Sequence, residues 1–106
     1  MIISTLEQIA GHKITGSLGV VAGNTIRARH LGKDIVAGLR TVVGGEIKEY
    51  TGMLAESREQ SLQRMIEKGE ELNADGIIGV RFQTSMIMST TAELLANGTA
   101  VKLQKI

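Results

Sequence analysis

Apolar and small residues recur along residues 46–75 at close to every 3.6 positions, and this pattern predicts one long amphipathic helix. The stripe consists of Ile47, Tyr50, Leu54, Ser57, Ser61, Met65, Gly69 and Leu72. Gly44–Gly45 precedes the segment and Asp75–Gly76 follows it. Such a helix would be about 45 Å long, whereas a compact chain of this size has a radius of gyration near 13 Å. Because one globule would leave the helix ends uncovered, we expect neighbouring subunits to cover them.

A second pattern, in residues 13–28, predicts a strand that is bent or bulged. The segment is rich in β-branched residues and is interrupted by Gly16, Gly19 and Gly23. Glycines inside a strand indicate either curvature or a close approach of another backbone. Curvature is the interpretation we favour here, and approach of a neighbouring strand or chain is the alternative.

The C-terminal third of the chain reads as three strands. Residues 77–87 form the first, with Val80 and Phe82 facing one way and Arg81 and Gln83 the other. Residues 92–96 and 99–103 are two shorter strands. Asn97–Gly98 lies between them and predicts a hairpin turn, because both turn positions favour residues that accept positive φ.

Residues 33–43 are predicted to form a short helix that Gly44–Gly45 ends. Its apolar face comprises Ile35, Val36, Leu39, Val42 and Val43. The predicted order is therefore strand, helix, helix, strand, strand, strand. This order indicates a single α+β domain over residues 1–106, with a mostly antiparallel sheet and a short and a long helix on one face.

Composition narrows the function classes. The chain has no cysteine, which excludes disulfides, zinc–thiolate sites, iron–sulfur clusters and cysteine nucleophiles. Its aromatic residues are Tyr50 and Phe82 alone, so the predicted core is thin and aliphatic, which is a second reason to expect an oligomer. A net charge of +1 with mixed signs argues against nucleic acid. Without a basic leader or an apolar run of about 20 residues, we expect no membrane segment and a cytoplasmic location.

Several short motifs, taken in order, are similar to those of a known family. They are Val42-Val43-Gly44-Gly45-Glu46, then Tyr50, then Arg58, then residues 74–81 (Ala-Asp-Gly-Ile-Ile-Gly-Val-Arg), and finally Gly98-Thr99-Ala100-Val101. The set resembles the YbjQ-like family of small cytoplasmic bacterial and archaeal α+β domains, to which heavy-metal binding has been ascribed. The resemblance covers nearly the whole chain. It implies a ring-shaped homo-oligomer, typically a pentamer. Through the ascribed heavy-metal binding it makes a metal ion the candidate cofactor, and no cofactor is assigned.

The same resemblance selects five candidate ligand-binding residues: Glu46, Tyr50, Arg58, Asp75 and Arg81. Helical spacing would place Glu46, Tyr50 and Arg58 on one side of the long helix. Arg81 would reach over from the following strand to an anion or a carboxylate. A structural salt-bridge network at the helix–sheet or subunit contact is the favoured explanation, and an anion-binding pocket is the alternative.

Metal ligands are scarce. His12 and His30 are the two histidines, and they read as surface or loop residues. A chain without thiolates suits a soft heavy metal poorly, and core filling explains Met86 and Met88 better than metal binding does. A hard-cation site built from carboxylates repeated around a ring stays open, and the metal itself is unassigned.

The function that follows is a non-enzymatic, homo-oligomeric binding protein. It would hold a metal or a small anionic ligand at its subunit interfaces or in a central channel. The alternative is a small-molecule enzyme with Glu46 or Asp75 as the acid or base and Arg81 holding an anion. A structural adaptor is a third hypothesis. No residue is assigned as catalytic.

Overall fold

The computed structural model describes residues 1–28, 42–43, 46–88 and 91–106. Within these ranges the elements are β1 (Ile2–Ile3), β2 (His12–Ala28), β3 (Val42–Val43), β4 (Glu46–Ile47), α1 (Lys48–Glu71), β5 (Gly76–Met88) and β6 (Thr91–Lys105). Four strands form one sheet in the order β1-β5-β6-β2. β1 runs parallel to β5, whereas the β5–β6 and β6–β2 pairs are antiparallel. With α1 packed mainly on β2 and β6, the result is a two-layer α+β domain with a mixed sheet.

The predicted order of elements is wrong at the start of the helical region. Val42–Val43, expected to end a short helix, form β3, which pairs with Glu46–Ile47 in β4. The long helix consequently begins at Lys48 instead of Glu46, and it ends at Glu71. The described residues contain one helix, and the greater part of the predicted short helix, residues 33–41, lies outside them.

The hairpin predicted at Asn97–Gly98 is also wrong, because β6 passes through both residues without a turn. β6 lies between β5 and β2, and Asn97 pairs with Arg81 on one side and Ala22 on the other. Gly98 serves packing instead, since a Cβ atom there would lie 2.6 Å from the side chain of Ile77. Residues 92–96 and 99–103 are thus one central strand, and the bonds on both of its sides override the local turn preference.

The bulged strand is confirmed. β2 changes register against β6 between Ile14 and Gly16 and again between Ser17 and Gly19. Gly19 has a φ of 110°, which side-chain-bearing residues rarely adopt. Gly23 has a different role, because a Cβ atom at this position would overlap the backbone of α1. Curvature is therefore confirmed at Gly19, whereas the backbone that approaches Gly23 is that of α1 and not, as the alternative had it, that of a neighbouring strand or chain.

The buried stripe of the helix is confirmed at its centre. Ser57, Ser61, Met65 and Gly69 are buried, whereas Leu54 and Leu72 near the two ends remain about two-fifths exposed. The sheet meets this stripe with Gly23, Ala96, Gly98 and Ala100, all of them buried. Small residues on both surfaces allow the helix and the sheet to approach closely. We call this contact the small-residue seam.

Hydroxyl groups in the small-residue seam are satisfied within it. Ser61 Oγ donates to the Leu94 carbonyl at 2.8 Å. Thr25 Oγ1 lies 3.3 Å from Ser61 Oγ and 3.5 Å from the Ser57 carbonyl. The hydroxyls therefore bond α1 to both β2 and β6, and among the described residues no buried side-chain polar atom lacks a partner.

The molecule is much longer than a compact chain of its length. Its radius of gyration is 17.2 Å and its extents are 54 × 26 × 15 Å, against about 13 Å for a compact chain of this length. α1 has 24 residues and is about 36 Å long, whereas β2 has 17 residues and β6 has 15. The expectation that the helix outgrows its own domain is therefore wrong, because the strands set the length.

Asp75 connects the end of α1 to three strands. Its carboxylate accepts from the Leu103 amide at 2.9 Å and from Lys102 Nζ at 3.4 Å. Its own amide donates to the Val101 carbonyl at 2.9 Å, and its carbonyl accepts from the Ile2 amide at 3.2 Å. The Leu103 amide, with a smaller contribution from Lys102, lowers the pKa of the Asp75 carboxyl below its usual 3.8.

Replacing Gly23 with alanine should destabilise the fold, because the new methyl group would overlap the backbone of Ser61 and Met65. Overpacking of this kind costs about 1–3 kcal/mol or more. Urea unfolding would measure the loss. Gly16→Ala is the matched control, since its Cβ atom would meet Lys102 at an ordinary 3.7 Å, and its effect should stay within about 0.5 kcal/mol. Equal stability of the two variants would contradict the small-residue seam.

Asp75→Asn should lower stability at neutral pH and make no difference in strong acid. Because the folded-state pKa is depressed, the stabilisation by the charged carboxylate is present above 3.8 and is lost as the pH falls through the folded-state value. Urea unfolding of both proteins between about pH 6 and about pH 2 would show the difference shrinking below pH 3.8. The exposed Glu70→Gln serves as the charge control. A difference that is independent of pH would argue against this role of the charge.

Candidate functional site

A fixed N-terminal loop and the first half of β5 form the candidate site. The Ser4 amide donates to Ile77, and the carbonyls of Ser4 and Leu6 accept from the amides of Val80 and Gly79 at 3.1 and 2.8 Å. Gly79 has a φ of 62°, and the register of β5 against β6 shifts here, between Ile78 and Arg81. This bulge in β5 is where the loop that follows β1 is bonded to the strand.

Arg81, directly after the bulge, also bonds to the N-terminal loop. Its Nη1 atom donates to the Thr5 carbonyl at 2.7 Å and to the Val80 carbonyl at 2.8 Å. The side chain is exposed and pairs in register with Asn97. Since the neighbours of Asn97 on β6 face α1, Arg81 lies on the face of the sheet opposite to α1. The guanidinium is thus positioned by fixed backbone acceptors.

Thr5, Leu6, Glu7, Gln8 and Arg81 line an open pocket of about 380 Å³, which we call the Arg81 pocket. Its wall carries one cation, one carboxylate, one hydroxyl, one amide and one aliphatic side chain. A volume of this size is typical of small-molecule sites, which run from about 300 to 1,000 Å³. The Arg81 pocket can therefore accept a small polar ligand that presents charges of both signs.

The other predicted site residues do not join Arg81. Arg58 is exposed on α1, on the far side of the sheet from Arg81. Asp75 bonds to β6 at Leu103, whereas Arg81 pairs with β6 at Asn97, roughly 20 Å away along the strand at about 3.3 Å per residue. A single pocket shared by Arg58, Asp75 and Arg81 is therefore not formed within one chain.

Glu46 and Tyr50 lie on different elements. Glu46 is in β4, where it pairs with Val43, and Tyr50 is in the first turn of α1. The expectation that helical spacing places them one turn apart on one face is wrong, because the backbone at Glu46 is extended. Their side chains lie outside the described atoms, so their part in ligand binding stays a prediction.

The described residues of one chain do not fit a metal ion. They contain no group of three or more His, Asp or Glu side chains close enough to share one. His12 Nδ1 lies 3.1 Å from the Ala10 carbonyl, which occupies that ring nitrogen with a local contact. His30 lies outside the described residues. A metal held by this protein would therefore need ligands from more than one chain or from side chains outside the described set, such as Glu46.

The loop residues of the Arg81 pocket were not among those selected from the sequence. Thr5 to Gln8 carry no motif, and their placement depends on hydrogen bonds to Gly79, Val80 and Arg81, which follow more than 70 positions later. The available signal was Gly79 itself, because a glycine inside a strand often marks a bulge. Asp75 was selected, but its contacts join strands and do not face a pocket.

Among the described residues, no helix combines the length and the apolar character needed to cross a bilayer.

Comparison with known proteins places the chain in a family. A family model described as "Putative heavy-metal-binding" matches residues 1–104. A UPF0145 protein of Methanosarcina acetivorans is 56% identical over 103 residues, which cover 97% of each chain. A UPF0145 protein of Thermotoga maritima is 54% identical over 106 residues and the full length of both chains. Relatives are thus found in both archaea and bacteria.

The fold has also been seen in a solved structure. A Pediococcus pentosaceus protein of unknown function from the DUF74 family has a TM-score of 0.71 and 20% sequence identity, over 98% of both chains. At that identity the likeness concerns the fold alone. The family model and the two relatives confirm the resemblance inferred from the sequence motifs, and the chain belongs to the YbjQ-like family of UPF0145 proteins.

Proposed function

We propose that the protein is a non-enzymatic, homo-oligomeric binding protein that assembles as a ring, with five chains as the expected number. Its ligand would be a metal ion or a small anion, held at subunit interfaces or in a central channel. The observation that carries the proposal is the outer edge of β5, with which no described strand pairs beyond Arg81. Lack of cysteine suits a reducing compartment, and the cytoplasm is the proposed location.

Among the described residues, little pairs with the outer edge of β5. β1 pairs with β5 at Gly76 and Ile77, and the N-terminal loop bonds to Gly79 and Val80. Beyond Arg81, no described strand pairs with this edge. Residues 82–88 read Phe-Gln-Thr-Ser-Met-Ile-Met, without a charge, a proline or a glycine. Such an edge readily pairs with another strand, and proteins usually protect it.

Large apolar side chains accompany this open edge. Phe82 is 44% exposed and Met86 is 68% exposed. Phe82 is in register with Ala96 and Met86 with Ala92, so both point to the face on which α1 lies. A partner strand beside β5 would satisfy its free backbone groups, and a partner side chain could cover these residues. The prediction that Met86 fills the core of the chain is wrong, because its side chain is exposed, and its packing would have to form between chains.

The opposite edge of the sheet is partly protected. On β2, the Asn24 carbonyl accepts from Arg64 Nη1 at 2.6 Å, and the Asn24 amide donates to Glu93 at 3.0 Å. A cation reaching over from α1 is a common device that discourages strand pairing at an edge. The two edges of the sheet therefore differ. Contact between unlike surfaces is what closes copies of one chain into a ring.

Metal binding at subunit interfaces would also supply the ligating side chains that the described residues of one chain do not bring together. The described residues of a single copy provide no metal cluster, whereas a ring repeats each carboxylate once per subunit. Hard cations accept such oxygen ligands. For the enzyme alternative, the environment of Asp75 is unfavourable, because its carboxylate is engaged by Leu103 and Lys102 and its pKa is lowered.

Native mass spectrometry of the untagged protein should show a ring of five 11.3 kDa chains, or about 56.5 kDa. Met86→Lys should shift the population to monomers, because the added charge opposes strand pairing at the β5 edge. Met86 is exposed in the single chain, so the substitution should leave the fold intact.

Ile106→Lys is the matched control, since Ile106 is also apolar and is 87% exposed at the far end of β6. It should retain the oligomer. A monomeric wild-type protein would overturn the ring, and an oligomer that resists Met86→Lys would remove the β5 edge from the interface. Mass in excess of the bare ring would give the class of the bound ligand.

A further inference from the structure

We propose that the Arg81 pocket binds a small zwitterion with an aliphatic side chain, of which a free aliphatic α-amino acid is the simplest case. The inference rests on the proposed binding role, but its site lies within one chain and differs from the interface or channel site. Three features of the Arg81 pocket carry it: the remaining donors of Arg81, the carboxylate of Glu7, which has no ion-pair partner among the described residues, and the exposed side chain of Leu6.

The Arg81 guanidinium is suited to one carboxylate. Nη1 already donates to the carbonyls of Thr5 and Val80, which fixes the plane of the group. Nε and Nη2 make no hydrogen bond to the described residues, so the N–H groups along that side are available. Two parallel N–H donors match the two oxygens of a carboxylate. Because the plane is already fixed, little further ordering of the side chain is needed.

Glu7 provides the opposite charge. Within the described part of the chain the ion pairs are Lys68–Glu71 and Lys102–Asp75. Glu7 and Arg81 therefore line the same pocket without pairing with each other. An α-amino acid presents an ammonium group close to its carboxylate and would bind both residues at once. A phosphate dianion would gain from Arg81 and lose from Glu7, so the charge balance favours the zwitterion.

Leu6 supplies an apolar surface beside the charged groups. It is 68% exposed, although its backbone is fixed by the hydrogen bonds of its amide to Ser4 Oγ at 3.0 Å and of its carbonyl to the Gly79 amide at 2.8 Å. A fixed, exposed leucine can cover an aliphatic side chain of the ligand. Since the pocket is open, we expect modest affinity, with a dissociation constant on the order of 1 mM.

Backbone TROSY spectra of the full chain, titrated with L-leucine, would test this site. Saturable shifts are expected at residues 5–8 and at Arg81. N-acetyl-leucine lacks the ammonium group, leucinamide lacks the carboxylate, and each should bind about tenfold more weakly. Inorganic phosphate should bind more weakly than leucine. Leucyl-leucine distinguishes two sources of the same chemistry: tighter binding than leucine would identify a short peptide, and weaker binding a free amino acid.

Glu7→Gln is the diagnostic variant, because Glu7 is exposed and has no described partner to lose. It should weaken leucine binding about tenfold and remove the preference for leucine over N-acetyl-leucine. Glu67→Gln makes the same change of charge on α1, away from the Arg81 pocket, and should leave leucine binding within about twofold.

Three results would overturn the inference: no saturable shifts with leucine at about 20 mM, unchanged leucine binding in Glu7→Gln, or tighter binding of phosphate than of leucine. The assembly is read separately, by native mass spectrometry of the same samples. A monomer that binds leucine through Glu7 would refute the ring and keep this site. A ring that shows no shifts with leucine would refute this site and keep the ring.

Discussion

The close contact between α1 and the sheet is the constraint on which the rest of the structure depends. Gly23 leaves no room for a Cβ atom against the backbone of α1, and Ser61 bonds directly to the Leu94 carbonyl. Such a contact replaces bulky apolar packing with backbone proximity and satisfied hydroxyl groups. It also explains how a chain with two aromatic residues builds a stable helix–sheet layer. The cost is a core of few large side chains: among the described residues, Met65, Ile77 and Val101 are the largest that are fully buried.

A core with few large side chains leaves apolar residues exposed at the surface. Because α1 packs mainly on β2 and β6, Phe82 and Met86 on β5 stay exposed, and no described strand pairs with the outer edge of β5 beyond Arg81. The chain is accordingly long and thin, at 54 × 26 × 15 Å. A single copy leaves apolar surface and backbone groups that a second copy can satisfy. The length of the helix does not require a neighbouring subunit, whereas the outer edge of β5 beyond Arg81 offers backbone groups with which a neighbouring strand can pair.

The residues that line the Arg81 pocket could not be predicted together from the sequence. Arg81 was selected through family motifs, yet its partners are the Thr5 carbonyl and the wall formed by residues 5–8. Nothing in the local pattern of that loop indicates chemistry, because its shape is set by hydrogen bonds from the bulge at Gly79. Asp75 is the converse case. The family resemblance selected it as a ligand-binding carboxylate, while its bonds to Leu103 and Lys102 explain it as a junction between strands.

The family was recognised from the resemblance of ordered short motifs. The α+β class, the bulged strand and the buried stripe centred on Ser61 and Met65 came from local periodicity and composition. These follow because burying one face of a helix, or bending a strand, leaves its pattern in consecutive residues. Tertiary structure decided what depends on distant partners. It joined the segments on either side of Asn97–Gly98 into one central strand, since β5 and β2 bond to both sides of it. Glu46 lies in a strand and not in the helix, because it pairs with Val43. Arg58, Asp75 and Arg81 lie apart in the fold. Neither strand order nor register is encoded in the spacing of residues along one element.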